Sequence, residues 1–310
     1  MNILITGGAG FIGSNIVDRY IKEGHQAIIA DNLITGKVKN INAKAKFYKI
    51  DIRDREGLES IFKENKIDII SHHAAQMDVR KSVDDPIYDA DVNILGSLNL
   101  LQLAVKHKIK KFIFASTGGA VYGEQDYFPA DEKHPPNPLS PYGISKLALE
   151  KYLYFYKMTY NLNHTILRYA NVYGPRQDPH GEAGVVAIFA KKILKGEPPI
   201  INGDGGQTRD YTFVEDVVEA NVLVIKNGIN GIYNIGTGIE TSVNELCNIM
   251  LKTAGADAKP VHGPAKMGEQ RRSVISCNKI NSECDWTPKN SIKDGISKTI
   301  NFFKDEQREG

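Results

Sequence analysis

The chain has 310 residues, 41% of them hydrophobic and 25% charged, with a formal net charge of +2 at pH 7. That length suits one large α/β unit or two interlocked smaller ones, and Lys and Arg scattered among acids leave no electrostatic footprint for nucleic acid or an anionic membrane. Cys247, Cys277 and Cys284 are odd in number and lack metal-ligand spacing, so free thiols, no bound metal and a reducing, cytoplasmic setting are expected.

In chain order, "NILIT" (2–6) is a short apolar run that stops at glycines, and "IGSNIVDRYIKEGH" (12–25) carries helical period. "QAIIAD" (26–31) and "AKFYKID" (45–51) read as strands, "REGLESIFKEN" (55–65) as a helix and "IDIISHHAA" (67–75) as another strand. "DVNILGSLNLLQLAVKHK" (91–108) predicts one amphipathic helix, followed by the strand "KFIFAS" (111–116). A second long helix runs from Tyr142 through "ISKLALEKYLYFYKMTYN" (144–161), and "HTILRYANVYG" (164–174) returns to strand. This alternation predicts a doubly wound parallel α/β sheet with helices on both faces. After residue 174 the texture shifts to Gly/Pro-rich loops and shorter elements. Residues 1–174 are therefore expected to form one doubly wound domain, with later segments such as 211–237 returning to it, and 175–310 a smaller α/β domain.

"TGGAGFIG" (6–13) lies between the first strand and the first helix. Gly7, Gly10 and Gly13 permit a tight turn, close approach of backbone to a pyrophosphate and close packing of helix on strand, while the helix N-terminus favours negative charge. Asp31 ends the second strand 18 residues past Gly13, placed to accept hydrogen bonds from an adenosine ribose. Asp31-Asn32-Leu33 offers a carboxylate with no Arg beside it, which repels a 2′-phosphate and favours NAD over NADP. "DIRD" (51–54) ends the third strand, where Asp51 and Ile52 either flank an adenine or form an ordinary solvated turn.

"PYGISK" (141–146) sets Tyr142 and Lys146 at i and i+4 on one helix face. A phenol with a pKa of about 10 is a poor base at neutral pH. A neighbouring ammonium and an oxidised nicotinamide both favour its phenolate.

With these features in place, the chain resembles the extended short-chain dehydrogenase/reductases, specifically their nucleotide-sugar epimerase and dehydratase group. Matching stretches run nearly end to end: "TGGAGFIG", "DNL", "DIRD", "HHAAQ", "VNILGSLNLL", "STGGAVYG", "PYGISK", "LRYANVYGPRQ", "GDGGQTRDYTFVEDV" and "NIGTG". The resemblance implies a Rossmann domain holding NAD, a C-terminal domain for a UDP-sugar, and homodimers paired through residues 91–108 and the Tyr142 helix. It implies hydride transfer from C4 of the sugar to NAD, rotation of the 4-keto sugar and hydride return, which interconverts UDP-galactose and UDP-glucose.

Residue by residue, Tyr142 then removes the 4-hydroxyl proton, and Lys146 holds the nicotinamide ribose and tunes Tyr142. Gly7, Gly10, Phe11, Ile12, Gly13, Asp31, Asn32, Asp51, Ile52, Ala74, Ala75, Gln76, Asn93 and Lys146 match cofactor-contact positions, with Gln76 where other members carry a Lys. Ser116 matches a nicotinamide contact. Asn171 and Arg209 match residues that hold the diphosphate, and Tyr211 lies beside Arg209. Ile200, Asn202 and Glu269 match positions around the uridine. Lys266 replaces an arginine, leaving Arg271 as the substitute phosphate contact. Ser273 falls where some relatives carry a bulky Tyr that excludes a 2-acetamido group, so N-acetylated UDP-hexosamines also fit this reading.

In "STGGAVYG" (116–123) the group's usual catalytic Ser or Thr position falls on Gly118, which has no hydroxyl. Thr117 is the nearest substitute, with a flexible Gly118-Gly119 letting it reach the sugar O4. The rival is that Tyr142 works alone with water. Dehydratases and decarboxylases of the group carry acids just before Val-Tyr-Gly, where this chain has Gly119 and Ala120, which favours epimerisation over elimination. A UDP-glucuronate 4-epimerase or decarboxylase and a non-catalytic NAD-binding regulator stand as alternatives.

Overall fold

Short apolar runs bounded by turn residues form the strands of one parallel sheet in a computed structural model, which describes residues 1–179, 184–265 and 270–309. They are β1 (Asn2–Thr6), β2 (Gln26–Asp31), β3 (Lys46–Lys49), β4 (Ile69–His72), β5 (Lys111–Thr117) and β6 (His164–Tyr169). After β7 (Asn171–Tyr173), β8 (Ile200–Asn202) and β9 (Thr208–Phe213), β10 (Gly231–Ile235) comes back to the same sheet. The order across it is β10-β6-β5-β4-β1-β2-β3. Successive residues of a strand serve opposite faces: Ile3, Ile5, Ile29 and Ile113 join the core on one side, and Leu4, Ile28, Phe112 and Phe114 the core on the other. Both faces are covered by helices, as an all-parallel sheet requires.

Strand order reverses between β1 and β4, so a crevice opens beyond their C-terminal ends, where open α/β sheets take ligands. The glycine loop and the Ala74-Ala75 loop emerge side by side at that crevice. A Cβ on Gly7 (φ +69°) would lie 2.7 Å from the Ala74 nitrogen, and one on Gly13 would lie 2.2 Å from the Gly7 carbonyl oxygen. Any side chain at either position would prise the two loops or the first helix (Phe11–Lys22) apart.

The second half carries β11 (Glu240–Ser242), β12 (Val261–Gly263) and β13 (Arg272–Ser273). β9 pairs antiparallel with β11 and parallel with β7 and β13, while β8 pairs with β12. Residues 164–174, which read as one strand, are two: β6 stays in the large sheet and β7 leaves it after Ala170 to join β9. That departure carries Asn171 over the strand ends.

Residues 91–108 likewise divide. Asp91–Leu95 is π-helical and Gly96–Lys106 is α-helical. Asn93, inside this wide turn, clasps the Gln76 peptide: its Oδ1 accepts from the Gln76 amide at 2.9 Å, and its Nδ2 donates to the Gln76 carbonyl at 2.8 Å. The long helix Pro141–Tyr160 starts where Ser140 Oγ accepts from the Gly143 amide at 3.2 Å, with Pro141 in the first turn. It stops at Asn161, which adopts φ 54°. This start fixes Tyr142 at the mouth of the crevice and Lys146 one turn deeper. Among the described residues no helix is long and apolar enough to cross a membrane.

Candidate active site

Two cavities meet at the crevice. The first is bordered by Gly7, Gly10, Phe11, Ile12, Gly13, Asp31, Asn32, Asp51, Ile52, Ala74, Ala75, Ser116, Tyr142 and Lys146. All of these are cofactor-side residues named from the sequence. Asp31 is buried at the end of β2 and accepts from the Ala9 amide at 3.0 Å and the Leu33 amide at 2.8 Å. Each carboxylate oxygen keeps a second lone pair for a ribose hydroxyl. Asn32 donates to Asp51 at 2.8 Å, and the Arg53 guanidinium grips both Asp51 oxygens at 2.9 and 3.0 Å, holding that carboxyl down at about 2. The first turn of the Phe11–Lys22 helix carries no acidic residue, so its amides face the cavity free of competing charge. A glycine cradle that a Cβ would fill, a helix N-terminus and a ribose-directed carboxylate together fit an NAD-type dinucleotide.

Two of the cofactor-side residues named from the sequence stand back from this cavity. Gln76 and Asn93 do not border the cavity; both side-chain amides donate to Asp89 Oδ1 at 3.0 Å. The next residue, Met77, takes the wall position and borders both cavities.

The second cavity is a cleft of about 760 Å³, within the range of small-molecule sites, bordered by Thr117, Tyr142, Asn171, Ile200, Asn202, Arg209 and Tyr211. Arg209 Nη1 donates to the Thr208 carbonyl at 2.8 Å. Three further bordering residues went unnoticed in the sequence. Gln177 donates to the Val172 carbonyl at 3.1 Å and leaves its buried Oε1 without a partner among the described residues. Arg80 and Lys192 add positive charge to the wall, and nothing in the sequence marks either from a surface cation.

Arg271 and Ser273 are not brought to the cleft. Arg271 is exposed and gives a two-point pair to Asp204 at 2.8 and 3.0 Å. Ser273 is buried in β13, in register with Arg209, and contributes no wall. Glu269 and Lys266 lie outside the described residues.

The cavities share Tyr142 and Ser116. Lys146 Nζ donates to the Ala115 carbonyl at 2.9 Å and lies 5.7 Å from the centroid of the Tyr142 ring and 4.9 Å from that of Phe114. Ser116 donates to Glu150 Oε1 at 2.6 Å, which leaves the serine oxygen as an acceptor toward the cavity. The two glycines after Thr117 adopt regular backbone geometry. Both sit in a short helical turn, Gly118–Val121, without positive φ. A Cβ on Gly118 would lie 2.6 Å from Ile275 Cδ1, against a buried side chain. Position 118 therefore points into packing, whereas Thr117, half-buried and making no cap bond to that turn, borders the cleft.

A parallel sheet with a glycine cradle at its switch point, and a Tyr–Lys pair where that cavity opens into a second cleft, define a dinucleotide-dependent enzyme of the short-chain dehydrogenase type. Residues 3–236 match the model of the NAD-dependent epimerase/dehydratase family. The UDP-glucose 4-epimerase of Mycolicibacterium smegmatis is 42% identical over 99% of this chain and 100% of its own. The structure of UDP-glucose 4-epimerase with UDP-glucose from Thermotoga maritima superposes with a TM-score of 0.97 at 49% identity, covering 99% of this chain and 100% of that one. The Thermus thermophilus UDP-glucose 4-epimerase complex with NAD gives a TM-score of 0.94 at 45% identity, over 98% and 99%. The chain belongs to the NAD-dependent epimerase/dehydratase family.

Proposed function

We propose that the chain is a UDP-hexose 4-epimerase that interconverts UDP-galactose and UDP-glucose with NAD held in the first cavity. The observation that carries this is the shared Tyr142, which stands at once on the wall of the cofactor cavity and on that of the cleft. NAD, when bound, accepts hydride from C4 of the sugar and gives it back to the opposite face. Tyr142 takes the O4 proton, and the Lys146 ammonium favours its phenolate. Thr117 carries the proton between Tyr142 and O4, in place of the hydroxyl absent at position 118. Ser116, its own proton committed to Glu150, accepts from the nicotinamide carboxamide. Arg209 and Asn171 hold the diphosphate, with Lys192 as a second cation, and Ile200, Asn202 and Tyr211 border the nucleoside end. Gly119 and Ala120 offer no acid for elimination.

This reading divides the labour between residues 1–174, together with the returning 211–237, for NAD, and the rest of 175–310 for the UDP-sugar. It also includes a homodimer. The outer face of helix Pro141–Tyr160 exposes Tyr154 (64%), Phe155 (48%) and Met158 (68%), an apolar patch of the kind that marks a subunit contact. Sedimentation velocity of the purified protein reads the particle mass directly, and a monomer at micromolar concentration ends that part of the reading.

The test of activity is incubation of the holoenzyme with UDP-galactose, followed by chromatography and mass spectrometry. The expected product is UDP-glucose at unchanged mass. Loss of carbon dioxide from UDP-glucuronate, or of water from UDP-glucose, would place the chain among decarboxylases or dehydratases instead.

A further inference from the structure

Lys146 is buried, and a buried ammonium needs a counter-charge. The groups that face it come from four directions. Behind it on β4 and the following loop are His72 and His73. His72 is locked between Thr6 Oγ1 at 2.7 Å and Ser97 Oγ at 2.8 Å, and burial keeps its imidazole well below the ordinary range. His73 is likewise driven by burial to about 3, so neither ring carries charge at neutral pH. On its own helix stands Glu150, and on the neighbouring strand Arg168, which grips both Glu150 oxygens at 3.0 and 2.5 Å. That carboxylate is already neutralised. Tyr142 lies one turn toward the cleft.

The remaining group is Asp89, on the short helix Pro86–Ala90, which is 0% exposed. Its three side-chain donors are all neutral: Gln76 Nε2 and Asn93 Nδ2 at 3.0 Å on Oδ1, and Ser145 Oγ at 2.6 Å on Oδ2. No cation is hydrogen-bonded to it among the described residues. Ser145 is the chain neighbour of Lys146, so the bond to Oδ2 seats the Asp89 carboxyl group against the turn that carries the ammonium.

We propose that Asp89 is a positioning residue: its buried carboxylate is the counter-ion that keeps Lys146 charged, and its three hydrogen bonds fix the catalytic helix to the loop behind the cofactor cavity. Asp89 and Glu150 are both buried and both bonded around the catalytic helix, Asp89 through Ser145 and Glu150 as part of it, and of the two Asp89 has no guanidinium of its own. The direction of each influence agrees. Burial lowers the Lys146 ammonium to about 8, and of the two acids that pull it back up Asp89 acts more strongly than Glu150. The role in turnover rests on the epimerase reading above; the charge state of Lys146 does not.

The experiment therefore has two arms. In the first, holoenzyme labelled with ¹⁵N-lysine is titrated by NMR, with the Lys146 signal assigned by its loss in Lys146→Met. The wild-type ammonium is expected to be charged at pH 7, and a neutral amine there overturns the proposal without any variant. In the second, Asp89→Asn keeps the shape and the acceptor oxygen but removes the charge. Its Lys146 titration and the alkaline limb of kcat should both move down by about one pH unit, a tenfold loss of charged lysine at fixed alkaline pH. Ser145→Ala removes a hydrogen bond but no charge, and should move the limb by clearly less than Asp89→Asn does; an equal shift would assign the effect to the lost bond and overturn the counter-ion role. A folded Asp89→Asn whose lysine titrates as in wild type overturns the proposal. Absence of UDP-galactose turnover with the lysine shift intact would instead sink the activity assigned above.

Discussion

Tyr142→Phe should lower turnover of UDP-galactose by about a thousandfold, in the middle of the range for removing a general acid–base group, while the purified variant still carries NAD. The two halves of that expectation come from different parts of the fold. The cavity proposed for NAD runs along Gly7, Gly13 and Asp31, none of which takes part in the phenol's work, so cofactor content should not fall. The phenol stands where both cavities open, with the Lys146 ammonium 5.7 Å from its ring centroid, and phenylalanine fills the same space without a proton to move. Cofactor content is read from the nucleotide released on denaturation, and turnover from the UDP-glucose formed. A variant that keeps a tenth of the activity would remove Tyr142 from its role. Thr117→Val separates relay from bystander in the same assay: a relay costs about tenfold or more in kcat, and an unchanged kcat would leave Tyr142 working through water.

The sheet was legible in the sequence because its inner strands are short, mostly apolar runs alternating with helical periods, and burial on both faces favours that pattern. The glycine loop, Asp31 and the Tyr142–Lys146 spacing were legible for a related reason: each is a local arrangement, complete within a few residues of chain. What escaped depended on distant partners. Nothing near residue 170 says that β6 and β7 part company, since the partner that draws β7 away is β9, some forty residues later in the chain. Gln76 was placed on the cofactor by resemblance, and the acid that claims its side chain, Asp89, carries no motif. Arg271 was named for phosphate because Lys266 replaces the usual arginine, and its partner Asp204 is far from it in sequence. Gly118 was read as freedom and is instead a lack of room, a distinction that only the position of Ile275 supplies.

The second large effect is on stability, and it concerns the pair next to the site. Glu150 and Arg168 are each 3% exposed and joined by two hydrogen bonds, and Arg168 Nη1 also donates to Tyr122 Oη at 2.9 Å. Tyr122 in turn donates to Asn234 Oδ1 at 2.7 Å, which ties the wall behind Ser116 to β10. Arg168→Met should cost about 3–5 kcal/mol, because it strips the buried Glu150 carboxylate of its guanidinium and leaves Ser116 as its one hydrogen-bond donor among the described residues. The pair itself need not be a large net source of stability. Taking both charges out of water is expensive, and their attraction returns much of that cost and little more. The double variant Glu150→Gln with Arg168→Met should therefore regain at least half of the loss, since glutamine keeps an acceptor for Ser116 and leaves no charge unpaired. Urea unfolding followed by tryptophan fluorescence, reporting from the buried Trp286, measures all three proteins on one scale. If the double variant is as unstable as Arg168→Met, the damage lies in the lost bond to Tyr122 and not in a stranded charge, and the electrostatic account of this wall is wrong.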